Sequence, residues 1–532
     1  MSGDNPNTKT APLLSAALMP ALLVGLFAST THALIPLRDW DHWWHMIMAR
    51  VASAGQATDR VHFLYTMDPH AYSYVQPWLS QYIFVWMQDA LGDSPAIALA
   101  TRDLLMGASF TLAAIVAWRR SGSALIGAAL ALWGQTLTAS FFGVRTFMLP
   151  WPLFLACLAI TYAARAGRLP TWTAALALPA CAALWANLHG TFLIPACIAL
   201  AALTSALSDR WLNKDSWSGR DALWWATTLA LCLIAPICNP MHHHIYSYMV
   251  MMARSPALAA FSGDWFPMTP LYPDTVGAAF YLTLISGLAL WAITRRADPP
   301  RADVLDLLLL AGFGALAIRQ CREIIWFGLV APIAIAPALR GRVAITTLPP
   351  GSLASRPATG IAALLLASAI ALIAQPWSAP WREVMLSVTL EEPPHTSGPQ
   401  RALVPAAAPY EAISHLKAHH AALLPTLRVF CAHNQSGYVL YHLQDPARPS
   451  PMVFTDNRYE LPSLALWDKY YTIAEAKPGW DTLLKDYGVH AVLAGPDDMP
   501  ALVDALKADP RWRAVPLGDA RTKLFLSNER VP

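Results

Sequence analysis

Apolar runs close to the length of a bilayer-crossing helix recur from Ala11 to Pro376 and then stop. They predict eleven spans, over about 11–36, 95–118, 122–142, 146–164, 171–187, 190–208, 222–239, 275–294, 303–318, 323–339 and 358–376. Pro and Gly inside several of them are tolerated by membrane helices. Two joints are tight. Asn187-Leu188-His189-Gly190 leaves room only for a short turn, and Arg319-Gln320-Cys321-Arg322-Glu323 divides the apolar run over 303–339. The first run has no small-x-small cleavage pattern at its end, so it is expected to remain as a span.

A long loop, 38–95, follows the first span and opens on Arg38-Asp39-Trp40-Asp41-His42-Trp43-Trp44-His45. Residues 39–53 alternate at helical period. Trp40, Trp43, Trp44, Ile47 and Val51 share one face, and Asp41, His42 and His45 the other. This predicts a helix lying in the membrane surface, tryptophans down, with Asp41 and its i+4 neighbour His45 turned toward a cavity. A second such stretch runs from Gln76 to Leu91, with Trp78, Leu79, Tyr82, Ile83 and Trp86 on one face. Thr66-Met67-Asp68-Pro69-His70 between them reads as a turn. A plainer role for Asp39 and Asp41 is capping of the first surface helix.

The basic residues set the orientation. Arg119-Arg120, Arg165 with Arg168, Arg210 with Lys214 and Arg220, Arg295-Arg296 with Arg301, and Arg340 with Arg342 and Arg356 all fall on one side of the eleven-span arrangement. The positive-inside rule makes that side, and the N-terminus, cytoplasmic. The opposite side collects the opening cluster, Arg145, Asn187 with His189, Asn239 with His242-His243-His244, Asp264 with Trp265, and Arg319, Arg322 and Glu323. Ionisable groups at membrane depth usually line a pathway or a site, so these predict one shared site on the outer face. The arginines and the histidine triplet have local alternatives: Arg145 as a helix-end anchor, Arg322 with Glu323 or Arg319 with Glu323 as simple ion pairs, the histidine triplet as a surface run.

Composition agrees with a membrane protein: 55% hydrophobic residues and 13% charged, against about 25% charged in globular domains. The net charge of +3 adds little. Of the seven cysteines only Cys431 lies in the polar C-terminal part, so that part holds no internal disulfide, and the lack of a CxxC pair argues against a cysteine zinc site.

After Trp377 the pattern changes. Residues 377–409 read as a linker rich in Pro, Ala and charge, and 410–532 as a small α/β domain. Helices are predicted over 410–420, 437–443 and 499–508, and strands over 427–431, 451–455 and 490–494. A hairpin is predicted from 514–517 and 523–526. Asp456, Arg458, Tyr459 and Glu460 directly follow a strand, where α/β domains bind ligands; a turn with a structural ion pair is the plainer reading. No GxGxxG, P-loop, GxSxG or HExxH motif appears, and nothing points to nucleotide or nucleic-acid binding.

The layout, with Asp39-x-Asp41-x-x-Trp44-His45, Gln76-Pro77-Trp78-Leu79 and Trp185-x-Asn187-x-His189-Gly190, resembles the GT-C superfamily of membrane glycosyltransferases. The resemblance implies a polytopic α-helical fold with a C-terminal extracytoplasmic α/β domain. It also implies a catalytic carboxylate just after the first span, where Asp39 and Asp41 stand. It implies a polyprenyl-phosphate-linked sugar as donor, an acceptor that is a glycan, lipid or protein, and a bacterial inner membrane with the C-terminal domain periplasmic. Sugar transfer needs a carboxylate to activate an acceptor hydroxyl or amine, and cations to hold a phosphate. Arg145, Arg319, Arg322, His189 and His243 are the candidates for phosphate, with His42, His45, Asn187, Asp264 and Glu323 supporting. A divalent metal is left open, with Asp41, His42, His45 and the histidine triplet as candidate ligands: oligosaccharyltransferases of the superfamily use one, many phosphate-sugar transferases do not. Two other functions compete. A lipid or glycan flippase would place its polar residues at mid-bilayer and show repeat symmetry; no repeat is seen. A non-catalytic envelope assembly subunit would be indifferent to Asp41→Asn.

Overall fold

The computed structural model describes residues 11–33, 37, 39–71, 77–91, 95–138, 141, 143–212, 219–271, 276–296, 303–340, 408–518 and 521–531. Arg38, Gln76, the span expected at 358–376 and most of the linker expected at 377–409 lie outside them. The helices in order are α1 (Ala11–Ala33), α2 (Asp41–Ser53), α3 (Trp78–Leu91), α4 (Pro95–Ser121), α5 (Ala124–Thr138), α6 (Trp151–Arg165), α7 (Trp172–Leu188), α8 (Ile194–Leu212), α9 (Gly219–Ile234), α10 (His244–Arg254), α11 (Pro256–Phe261), α12 (Val276–Arg295), α13 (Val304–Arg319) and α14 (Ile324–Ile335). Beyond them come α15 (Tyr410–His419), α16 (Ser436–Leu443), α17 (Leu464–Ala474), α18 (Trp480–Asp486) and α19 (Pro500–Ala508).

Each of the first ten expected spans coincides with a helix. Among the described residues, five helical stretches are long and apolar enough to cross a membrane: Ile97–Ser121, Thr146–Arg165, Arg220–Cys238, Val276–Arg295 and Cys321–Leu339. Leu18–Ser29, Ala124–Thr138, Trp172–Leu188 and Ile194–Asp209 are apolar but shorter. This is a mostly helical, multi-pass membrane protein. Helix α14 is apolar all round and buried along its whole length, as a helix at the centre of a bundle must be.

The two ends of the bundle differ in chemistry. At one end Arg120 pairs with Asp306, and Arg165 with Asp209 and Asp303, both at 2.6 Å. The side chains of Asp303 and Asp306 also box the start of α13. Arg145 precedes α6 and Arg319 ends α13, so they lie at the other end, about 22–24 Å away at 1.5 Å per residue. With Arg295 4.0 Å from Asp209, three arginines balance the three aspartates of this cluster; the far end carries a cavity.

The C-terminal part forms a four-stranded sheet in the order β1-β2-β4-β3, with β1 Val429–Phe430, β2 Ala491–Ala494, β3 Trp512–Val515 and β4 Lys523–Ser527. β1 and β2 are parallel and the other two pairs antiparallel. The strand expected at 451–455 forms only isolated bridges at Val453, one to Val429 and one to Leu64 of the loop between α2 and α3. That loop adds itself to the sheet: Met452 and Val453 donate their N–H groups to Phe63 O at 2.8 and 2.9 Å, and Thr66 Oγ1 donates to Phe454 O at 2.6 Å. Helices α17 and α18 had no counterpart in the sequence reading.

The surface helices need correcting. Trp43 and Trp44 are buried, and they do not lie in a headgroup layer. The Trp43 ring meets Tyr438, Tyr441 and His442 of α16 at 5.1–5.4 Å between centroids, and Arg458 lies over Trp44 at 4.9 Å. The aromatic stripe of α2 is thus the seat of the C-terminal domain. Helical period shows that a face is covered without saying by what, and tryptophan suits a protein interface as well as a lipid one. A side chain at Gly437 would meet Trp44 N at 2.8 Å and Trp40 O at 3.1 Å, so only glycine lets α16 approach this closely. On α3 the expected aromatic face is outward, with Trp86 and Tyr82 exposed, while Ser80, Gln81 and Gln88 are buried.

Candidate active site

A cavity of about 970 Å³ opens at the end of the bundle that carries Arg145 and Arg319. Asp39, Asp41, His45, Arg145, His189, Asp264, Arg319, Arg322 and Glu323 all line it. They come from the segment between α1 and α3, the turn before α6, the α7–α8 turn, the turn after α11, and the break between α13 and α14.

Arg145 is the hub. Its Nε donates to Asp39 Oδ1 and its Nη1 to Asp264 Oδ2 in two short ion-paired hydrogen bonds, and Asp41 Oδ2 lies 3.9 Å from Nε. Asp39 caps no helix; its carboxylate packs onto Gly143, where an added Cβ would sit 1.5 Å from Oδ2. Burial alone would raise the Asp264 pKa, but the Arg145 charge and hydrogen bond outweigh it and hold the group below the usual carboxylate range. Asp41 differs from both: its side chain is 39% exposed, against 10% for Asp39. Its Oδ1 accepts a hydrogen bond of 2.7 Å from Asn457 Nδ2 of the C-terminal domain.

The two lining histidines are neutral. Burial, then the nearby Arg145, brings His45 down to about 3. Gln81 Nε2 donates to its Nδ1 at 3.2 Å, which leaves the proton on Nε2. Burial, then Arg322, holds His189 well below its ordinary value. Thr191 N donates to its Nδ1 at 3.2 Å, again leaving an Nε2–H donor.

Arg322 pairs with Glu323 at 3.3 Å and stacks over the Trp265 ring at 4.3 Å. Arg319 does not pair with Glu323, because the helix ends at Arg319 and a 3₁₀ turn, Cys321–Glu323, follows. Arg319 is exposed, and among the described residues it makes no hydrogen bond or ion pair.

Other expected members lie elsewhere. His42 is buried against Phe84 and Trp43 at 5.3 and 5.5 Å and does not line the cavity; burial brings it down to about 3. Its position packs against α3, which one helix's own periodicity could not reveal. Asn187 is structural: it accepts from Trp78 Nε1 at 2.6 Å and donates to Ala183 O at 2.8 Å. His243 is exposed, its ring against His244 at 4.1 Å, outside the cavity. Asp456 and Arg458 form a buried ion pair of 2.6 Å, as the plainer reading had it. Asn457 and Ser436, which meet the site from the C-terminal domain, were missed, although Asn457 stands within the loop singled out.

A divalent metal does not fit this donor set. Among the described residues no three His, Cys, Asp or Glu side chains converge closely enough to hold one. The three carboxylates that come nearest, Asp39, Asp41 and Asp264, converge instead on the Arg145 guanidinium. The histidine triplet and His42 face elsewhere.

Close by, burial pushes the Glu460 carboxyl up from 4.5 to about 7. The folded chain then keeps a proton that the unfolded chain releases, so this group makes stability fall as pH rises from about 4.5 through 7. Glu460→Gln should flatten that part of a melting-temperature profile.

No family model and no curated protein matches the chain. Among solved structures it is similar to the oligosaccharyltransferase of Archaeoglobus fulgidus tethered with an acceptor peptide containing the NVT sequon. That match has a TM-score of 0.54 and 12% identity, covering 98% of this chain and 75% of that one. The oligosaccharyltransferase AglB from Archaeoglobus fulgidus in complex with an inhibitory peptide and a dolichol-phosphate gives a TM-score of 0.45 at 11% identity, over 99% and 75%. The chain therefore shares its overall fold with that archaeal oligosaccharyltransferase.

Proposed function

We propose that this chain is a membrane glycosyltransferase that moves a sugar from a polyprenyl-phosphate or pyrophosphate donor to an acceptor on the outer face of a bacterial inner membrane. Asp41 is its base. The observation that carries this reading is a single cavity that joins an available carboxylate to two arginines and to an apolar wall. That wall includes Phe27, Cys197 and Leu316, which are also exposed on the flanks of the bundle, where a lipid chain would lie.

In the step proposed, the acceptor oxygen or nitrogen attacks the sugar's anomeric carbon and its proton passes to Asp41. The bond to the phosphate oxygen breaks, and the electron pair leaves with the phosphate. Arg319 and Arg322 meet the charge that develops there, with the Nε2–H groups of His45 and His189 as further donors. Arg145 holds Asp39 and Asp264 and keeps the carboxylate end from repelling itself. The archaeal relative in fold is tethered with a peptide acceptor, which makes a peptide one natural candidate here.

The test is turnover by the purified protein in nanodiscs, with a panel of polyprenyl-phosphate sugars and free polyprenyl phosphate as the readout. Arg319→Ala should lower kcat/KM for the donor roughly tenfold to a hundredfold, the worth of a hydrogen bond to a charged group. Movement of the lipid across vesicles without bond cleavage would instead establish a flippase.

A further inference from the structure

The C-terminal domain is seated on α2, and one of its side chains grips the carboxylate assigned as base. Asn457 Nδ2 donates to Asp41 Oδ1 at 2.7 Å. The amide can point only one way. An ionised carboxylate accepts and does not donate, so the NH₂ must face Asp41. The amide oxygen then faces Ser436 Oγ at 3.0 Å, at the first residue of α16. Ser436 is fully buried, and α16 is seated on α2 through Gly437 and Trp43. Asn457 itself lies between Asp456 and Arg458, whose buried ion pair fixes the loop. The position of Oδ1 is thus set from outside the membrane part, and Oδ2 is the oxygen left toward Arg145 and the cavity.

We infer that Asn457 is a positioning residue for the transfer reaction, so that the docked C-terminal domain is a working part of the active site. The inference rests on the function proposed above. A donor held at 2.7 Å by its own buried partner fixes the rotamer of the carboxylate, so Asn457 orients Asp41. The other charged or titratable groups that face Asp41 are Arg145 from the turn before α6, Asp264 from the turn after α11, Asp39 and His45 on its own segment, and Tyr459 and Glu460 on the Asn457 loop. None of them is a neutral donor within hydrogen-bonding distance of Oδ1.

The experiment compares Asn457→Ala, Asn457→Asp and Asp41→Asn by the pH dependence of turnover in nanodiscs. Asn457→Ala should lower kcat roughly tenfold to a hundredfold and leave KM for the lipid donor unchanged. Asn457→Asp is nearly isosteric and puts a second carboxyl against Asp41. It should move the acid limb of the profile to higher pH, because two carboxylates in contact share a proton. A purely structural role would reduce the amount of active protein, leave kcat per active molecule unchanged and leave the acid limb of Asn457→Asp where it is. Unchanged kcat in both Asn457 variants and an unmoved limb in Asn457→Asp, with Asp41→Asn inactive, would overturn the inference alone. Full activity of Asp41→Asn would overturn the function it rests on. Should Asn457→Ala fail to fold, the isosteric Asn457→Asp decides by the same limb.

Discussion

Asp41→Asn should abolish sugar transfer, lowering kcat by roughly 10²–10⁴-fold, the usual contribution of a positioned general base. The fold should be untouched. Asn replaces Asp with the same shape, and Asp41 is 39% exposed and makes no short ion pair, so no buried charge is orphaned. The contrast with Asp39 separates chemistry from architecture. Asp39 is nearly buried, packed on Gly143 and committed to Arg145, so Asp39→Asn should cost stability as well as activity. Turnover and melting temperature measured on both variants distinguish the two: a catalytic loss without a stability loss identifies the base. Wild-type turnover in Asp41→Asn would remove it from the mechanism, and absence of turnover in the wild type itself would favour the assembly-subunit alternative.

The second large effect is expected from Arg145→Ala. It leaves Asp39, Asp41 and Asp264 facing one another with nothing between them. Breaking a buried ion pair costs 3–5 kcal/mol, and about a third of the Arg145 side chain is exposed, so about 3 kcal/mol is the expected loss. Activity should fall with it, because three adjoining carboxylates cannot all stay ionised. Arg145→Lys should recover only part, since an ammonium cannot reproduce the planar fork that reaches Asp39 and Asp264 together. The vacated space is also one that an oxygen-seeking cation fills. Arg145→Ala should therefore bind Mn²⁺, seen by electron paramagnetic resonance, more tightly than the wild type, while chelators leave the wild-type rate unchanged. Wild-type activity lost to a chelator and restored by Mn²⁺ would show that these carboxylates exchange the guanidinium for a metal during turnover.

Much of this architecture can be read along the chain, for identifiable reasons. Span positions follow from the length of an apolar run, which bilayer thickness dictates, and ten of the expected spans fall on helices. The gathering of Asp39, Asp41, His45, Arg145, His189, Asp264, Arg319, Arg322 and Glu323 follows from the same topology, because charged residues at span ends on one side have one place to meet. What could not be read depends on contacts between distant segments. His42 shares the polar face of α2 by period, yet α3 covers it. Asn187 looks like a ligand beside His189, yet it spends its amide on Trp78 and Ala183. The tryptophans of α2 are as fit for lipid as for Tyr438, and only the fold decides. The meeting of Asn457 with Asp41 spans 416 residues of sequence, and no local pattern encodes it.

The central claim is that one cavity brings a lipid-borne phosphate to Arg319 and Arg322 with the sugar facing Asp41. It is tested most directly by a cryo-EM structure of the protein in nanodiscs with a non-hydrolysable polyprenyl-phosphate sugar. The account predicts phosphate density within hydrogen-bonding distance of the Arg319 and Arg322 guanidinium groups, the lipid chain along the apolar wall by Phe27 or Leu316, and the anomeric carbon open to an acceptor beside Asp41 Oδ2. Phosphate density at the opposite end of the bundle, among Arg120, Arg165 and Asp303, would contradict it.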